Sequence, residues 1–324
     1  MHHLFALLLG FCVDLILGDP HWLPHPVQGM GWLIQKLEPL LRAAFPKTER
    51  GEIHAGRCLV VLVVGLTGIA TGLVLWAAGL VHPMVQNVLE IIICWQILAT
   101  KSLRTETMKV VHALEHGSLD AGRRAVSMVV GRDTAQLTEE EVLSAAVETV
   151  AENAADGILA PLLWAVVLGP VGGMCYKAVN TMDSMVGYQN ERYLHFGRAA
   201  ALVDDACNFL PARISGLLMC VAAYFGFDGA GAFRIFFRDR KNHKSPNSAH
   251  TEAACAGALG LQLGGTHLYF GKPVEKPTIG DAVRPICRGD VKRANDLALL
   301  TAVLALVLFD VLPLLLMIFF RRLL

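Results

Sequence analysis

Apolar runs of membrane length alternate along the chain with short polar connectors, and one long polar stretch interrupts them. Leu4 to Leu17 is apolar apart from Asp14 and stops at Gly18-Asp19-Pro20, where the residue before proline is pushed out of helical geometry. Trp22 and Trp32 beyond it suit an aromatic belt at headgroup level, and His21 and His25 read as hydrogen-bonded structure rather than ligands. After the basic flank Arg42, Lys47, Arg50 and Arg57, Cys58 to Val81 is long enough for a hydrocarbon layer that needs about 20 apolar residues. His82-Pro83 turns the chain into Val85 to Thr100, giving a helical hairpin in which Glu90 has to face the bundle interior or water. Leu297 to Phe320 is the last spanning segment, closed by Arg321 and Arg322.

Lys101 to Asp156 is polar and helical in pattern. It contains a short amphipathic helix over Asp120 to Val130, a turn at Gly131-Arg132-Asp133-Thr134, and a Thr138-x-x-Glu141 capping box. Ile158 to Tyr176 is apolar but broken by Pro161 and by Gly169-Pro170-Val171-Gly172-Gly173. Broken helices at membrane depth line polar cavities, so this segment is expected to be a re-entrant hairpin that returns the chain to the side it left. The pattern predicts an all-α, polytopic helical integral membrane protein in which the broken, re-entrant helix and polar helical segments form the active site. Residues 1–324 read as a single membrane-embedded domain, with 101–156 a polar helical insertion carrying part of that site.

Composition agrees with a membrane protein that has sizeable polar parts: hydrophobic residues make up 54% of 324 and mean hydropathy is +0.49. Net charge is zero, so no global field argues for nucleic acid. The eight cysteines form no C-x-x-C pair or zinc-ligand spacing and read as reduced.

Two stretches concentrate chemistry. Glu141, Glu148, Glu152 and Asp156 follow one another at spacings of seven, four and four, which on an α-helix lines their carboxylates along one stripe beside Asn153. Like charges four apart repel, and no basic residue occurs between Arg132 and Lys177 to relieve them. A divalent cation, or basic groups from elsewhere, would remove the repulsion; a solvated face is the plainer alternative. Tyr176 to Gly197 gathers Lys177, Asn180, Asp183, Asn190, Glu191 and Arg192 against apolar sequence, and Asp204 shares a helix face with Asn208. The run Arg234, Arg238, Arg240, Lys241, His243 and Lys244 suits a membrane-surface helix better than a phosphate site. No Walker loop, dinucleotide fingerprint, H-E-x-x-H or G-x-S-x-G occurs. Carboxylates on two helices with Lys177, Arg192 and Arg198 nearby suit magnesium held by one or two carboxylates together with substrate phosphates.

GDP and HPV near the start, GRDT, AAVETVAENAADGILAPLLW, YKAVNTMDSMVGYQNERY, FGRAAALVDDACNFLPARI and SPNSAHTEAACAGALGLQLGG, in that order, resemble the CobD/CbiB family of cobalamin biosynthesis proteins. The likeness runs from Asp14 to beyond Gly265 and departs at Ala249-His250, where a glycine and an aromatic are commoner. It implies a multi-pass enzyme of the bacterial inner membrane with a cytosolic site. That enzyme joins adenosylcobyric acid to aminopropanol, or its phosphate, to give adenosylcobinamide or its phosphate, alongside other corrinoid-pathway enzymes. The resemblance further implies ATP as a substrate, with Mg2+, because a carboxylate must be activated before an amine can attack it. Within that frame Glu148, Glu152, Asp183 and Lys177 are the catalytic candidates, and Glu148, Glu152, Asp156 and Asp183 the magnesium ligands. Asn153, Asn180, Asn190, Arg192, Arg198, Asp204, Asn208 and Asn247 are expected to bind substrate or phosphate. A magnesium-dependent prenyl- or phospho-alcohol transferase would need a repeated N-D-x-x-D-x-x-x-D pattern, and a corrinoid or metal transporter would need symmetric halves; neither is found.

Overall fold

The computed structural model describes residues 2–20, 22–269 and 271–323; His21 lies outside them. In chain order its helices are α1 (His2–Leu17), α2 (Pro26–Ala44), α3 (Glu49–Val81), α4 (Pro83–Ile97), α5 (Thr100–His116), α6 (Leu119–Ser127) and α7 (Glu139–Asn153). They continue with α8 (Ala160–Val186), α9 (Arg198–Ala222), α10 (Gly229–Asp239), α11 (Ala249–Leu259), α12 (Arg288–Leu306) and α13 (Leu312–Leu323). π-helical segments, Ala154–Leu159 and Val307–Val311, precede α8 and α13. Between α11 and α12 lie β1 (Gln262–Gly264), β2 (His267–Tyr269), β3 (Lys272–Val274) and β4 (Thr278–Gly280), paired as the antiparallel ribbons β1–β4 and β2–β3. The sequence pattern did not announce these ribbons: three-residue strands are too short to show alternation. Among the described residues four segments are long and apolar enough to cross a membrane: Glu49–Val81, Pro83–His116, Glu139–Val186 and Arg288–Met317. The chain is a polytopic helical membrane protein, and its eight cysteines are free thiols.

Packing groups the chain into two units. The polar stretch 101–156 lies within Thr100–Leu159, which packs with Phe209–Val307.

The first unit comprises Met1–Ala99, Ala160–Asn208 and Leu308–Leu324. In it α1 packs on α4 and α3 on α8 around Leu7, Phe11, Leu59, Cys94 and Leu162, all buried. α3 turns Val61, Ile69, Trp76 and Leu80 outward, an apolar face suited to hydrocarbon rather than water. His25 caps α2 by accepting from the Val27 amide, and its Nε2 lies 3.5 Å from Asp19, the structural role its setting between prolines suggested. Inside α8, Gly169 adopts φ 68°, ψ −168°, a region essentially closed to other residues. There the chain doubles back. A Cβ on Gly172 would lie 2.9 Å from the Trp164 carbonyl oxygen and one on Gly173 would lie 3.3 Å from Ala165 Cβ. Partners eight apart in sequence would be separated by about 12 Å on a straight helix. The apolar stretch Glu139–Val186 is therefore folded at Gly169 rather than straight, as the Gly-Pro break predicted.

The second unit comprises Thr100–Leu159 and Phe209–Val307. Its centre is α7, which buries Val142, Leu143, Ala146, Val147 and Val150 against α5, α6, α11 and α12. Thr138 and Glu141 make the reciprocal capping box the sequence predicted, which fixes where α7 begins and so which residues face inward. α11 is built mostly of small residues and lies close on α10, with Gly257 against Gly231 at the crossing. Burying α11 on all sides carries Glu252 into the interior. Arg234 and Arg238, in the basic run, pair with Asp281, and Arg238 also with Asp239.

Candidate functional site

The second unit contains a cavity of about 120 Å³ lined by Arg132, Glu148, Glu152, Asn153, Glu252 and Lys276 among others. Each side chain reaches it for a local reason. Glu148 and Glu152 are one α-helical turn apart on α7. Glu252 stands in the first turn of α11, one turn beyond Ser248, whose hydroxyl donates to Glu152 Oε1 at 3.1 Å. Arg132 sits in the loop before α7, and that loop is tied to the β2–β3 ribbon: the Asp133 amide donates to the Leu268 carbonyl, and Asp133 Oδ2 accepts from the Gly271 amide. Lys276 follows the same ribbon, its amide donating to the Gly265 carbonyl. One small scaffold thus presents two cations to three carboxyl groups.

Glu148 is fully engaged. Its Oε2 accepts from Arg132 Nη1 at 2.9 Å, and its Oε1 from the Ser144 hydroxyl at 3.1 Å and the Gly264 amide at 3.0 Å. The Arg132 side chain is 3% exposed, yet its Nε and Nη2 find no hydrogen-bond partner among the described residues. Leaving such donors unmade costs about 1–3 kcal/mol each. Glu252 is held well above the usual carboxylate range, first by burial and then by the charges of Glu152 and Glu148, against the opposing pull of Lys276 and Arg132. Burial, aided by Lys276, lowers His243, and burial with Arg132 lowers His267, so both imidazoles stay neutral. The arrangement offers cationic donors for anionic oxygens beside a carboxyl group that burial biases toward its protonated form.

The first unit holds a separate polar chain. Tyr176 Oη donates to Asn208 Oδ1 at 2.8 Å, and Asn208 Nδ2 donates to Asp204 Oδ2 at 3.0 Å. Asn180 also hydrogen-bonds Asp204, and Asp183 lies near enough for its charge to be felt there.

The CobD/Cbib protein family model matches residues 7–298. The chain is 49% identical over 312 residues to the cobalamin biosynthesis protein CobD of Geobacter metallireducens, covering 95% of this chain and 97% of that one. It is 45% identical over 285 residues to the protein of the same name from Clostridium tetani (87% and 89% covered), and 43% identical over 311 residues to that from Streptococcus sanguinis (94% and 96%). The chain belongs to the CobD/Cbib family. It is a cobalamin biosynthesis protein. No solved structure matches it.

Set against this CobD/Cbib chain, the residues singled out in the sequence fall into groups. Glu148, Glu152 and Asn153 line the cavity of the second unit. Asp156 does not, because the helix turns π from Ala154 and the four-residue spacing no longer keeps it on the stripe. Asn247, also in the second unit, accepts from Arg213 Nη1 at 3.1 Å. Asn180, Asp183, Asp204 and Asn208 gather in the first unit, where Lys177 is half-buried one helical turn before Thr181 and gives it a carbonyl acceptor. Arg192 lies on Glu38 at 3.0 Å, Asn190 caps the turn to Tyr193, and Arg198 opens α9 with its side chain exposed. Among the described residues no group of three or more His, Cys, Asp or Glu is placed to hold a metal ion. Sequence reasoning missed Arg132, Glu252 and Lys276 as partners of the acidic stripe. One signal was present for Arg132: it closes the cation-free interval that made the stripe conspicuous.

Proposed function

We propose that this CobD/Cbib chain forms the amide bond between adenosylcobyric acid and aminopropanol, or aminopropanol phosphate, at the expense of ATP. The observation that carries the reading is the second-unit cavity, where Arg132 and Lys276 line the same space as Glu152 and the buried Glu252. In such a ligation the substrate carboxylate takes the terminal phosphoryl group of ATP, releasing ADP. The amine nitrogen then attacks the acyl carbon, the C–N bond forms, and inorganic phosphate leaves. Arg132 and Lys276 would hold phosphate oxygens as charge moves onto them. The attacking nitrogen must shed a proton, which Glu152 on the same cavity is placed to take, while Glu252, biased by burial toward its protonated form, would donate to a phosphate oxygen.

Magnesium keeps several waters and needs one or two protein carboxylates beside substrate phosphates. Glu148, with three donors on its oxygens, does not fit that role; Glu152, with one donor recorded and two cations across the cavity, does. When bound, the ion would neutralise phosphate charge. A bacterial inner-membrane location with the site open to cytosolic ATP, among other corrinoid-pathway enzymes, belongs to the same reading.

The test is direct. Purified protein incubated with adenosylcobyric acid, ATP with magnesium, and each amine in turn should yield a product heavier than the corrinoid by the amine less one water, and none without ATP. Product formation independent of ATP, or no amide from either amine, would discard it.

A further inference from the structure

We infer that Arg132 is the receptor for a phosphoryl group, held open by Glu148 for that purpose, an assignment that rests on the ligation reading for the source of the phosphate. Three observations carry it. The guanidinium is fixed: one nitrogen is pinned to Glu148, and Glu148 is itself pinned by Ser144 and the Gly264 amide. The remaining donors, Nε and Nη2, have no hydrogen-bond partner among the described residues although the side chain is 97% enclosed, and Arg132 lines a cavity rather than packed core. Lys276 lines the same cavity and brings a second positive charge.

A planar guanidinium with its Nε and one Nη edge available is the donor pair that matches two oxygens of one tetrahedral anion, which a point-charge lysine does not reproduce. The acidic neighbours argue for an anion that brings strong acceptors rather than for a simple halide. Glu148 offsets the charge of Arg132, so weakly accepting ions gain little there, while a phosphate monoester or the end of a polyphosphate gains two directed hydrogen bonds. Both ATP and aminopropanol phosphate carry such a group.

The experiment is calorimetric titration of the full chain in detergent with tripolyphosphate, with aminopropanol phosphate, and with unphosphorylated aminopropanol. Wild-type protein should bind at least one phosphate compound, and Arg132→Lys, which keeps the charge opposite Glu148, should weaken that binding at least tenfold while leaving aminopropanol unaffected. Loss confined to tripolyphosphate assigns the site to ATP, and loss confined to aminopropanol phosphate assigns it to the amine substrate; either supports the inference. If Arg132→Lys does not fold, Lys276→Gln reads the same cavity and should weaken phosphate binding about fivefold. Equal affinities in wild type and variant, or no phosphate binding to wild type, overturn the proposal. Mass analysis of the amide separates the two ideas. Amide formation with phosphate affinity unchanged in the variant removes the receptor and keeps the ligase; phosphate affinity lost in the variant, with no amide from wild type, does the reverse.

Discussion

Arg132 Nη1 lies 2.9 Å from Glu148 Oε2, with the arginine side chain only 3% exposed and the glutamate 16%. A buried pair of this kind is costly to break from one side, because the surviving charge has nowhere to go. Glu148→Gln should therefore lower stability by about 3–5 kcal/mol. Glu152→Gln, one turn along the same helix, should cost less than about 1 kcal/mol, since the amide oxygen can still accept from Ser248 and one of three crowded acids is removed. Detergent-phase unfolding of the two variants under one set of conditions checks this. Equal losses would mean that the pair is not what organises the cavity.

The fold-back at Gly169 yields a covalent test. Ala165→Cys combined with Gly173→Cys places two sulfurs where Cβ atoms come within 3.3 Å, close to disulfide range, provided the Ile97 side chain gives way. Oxidation should join them rapidly, which a straight helix over the same residues would forbid. Gly169→Ala, forced into a glycine-only conformation at φ 68°, should cost about 1–3 kcal/mol in the same unfolding measurement. A pair that stays reduced under oxidant would remove the hairpin.

That hairpin was legible because its signal is local: Gly169-Pro170 breaks an apolar run, and the break means the same thing whatever packs nearby. The capping box at Thr138 and Glu141 was legible for the same reason. The acidic stripe was legible only as a problem. Its resolution depends on Arg132, read in sequence as a turn residue, and on Glu252 and Lys276, which arrive from distant elements with no periodic mark of their own. Asp156 leaves the stripe because spacing arithmetic assumes 3.6 residues per turn, and a π segment beginning at Ala154 changes that number within one turn.

Tyr176→Phe removes one hydroxyl and little volume. It leaves Asn208 Oδ1, in a side chain 1% exposed, without the donor now at 2.8 Å. A buried acceptor abandoned in this way costs about 1–3 kcal/mol. Asn208→Leu in the Tyr176→Phe background should recover part of that loss, because the orphaned amide goes with it, although Asp204 then loses the donor at 3.0 Å. A double-mutant cycle showing no coupling between the two sites would mean that water already serves both groups.

The dependence of stability on pH sets two residues of α11 against each other. His250 is pushed down from 6.5 to about 4 by burial first and by Arg213 next, so between those values the unfolded chain binds a proton the folded chain refuses. Its contribution weakens as pH falls through that window. Glu252 is raised well above 4.5, so above 4.5 the folded chain keeps a proton the unfolded chain releases. Its contribution weakens as pH rises. From about 4.5 to 6.5 these two slopes oppose, each bounded by about 1.4 kcal/mol per pH unit, on a wild-type profile to which His243 and His267, lowered as well, contribute with the sign of His250. Single substitutions uncover the halves. Relative to wild type, His250→Gln should lose melting temperature progressively as pH rises across the window, and Glu252→Gln should gain it. Melting curves of wild type and both variants at three pH values decide the matter: differences from wild type that change with pH in the same direction in both variants would show that at least one of the two groups titrates normally in the folded protein.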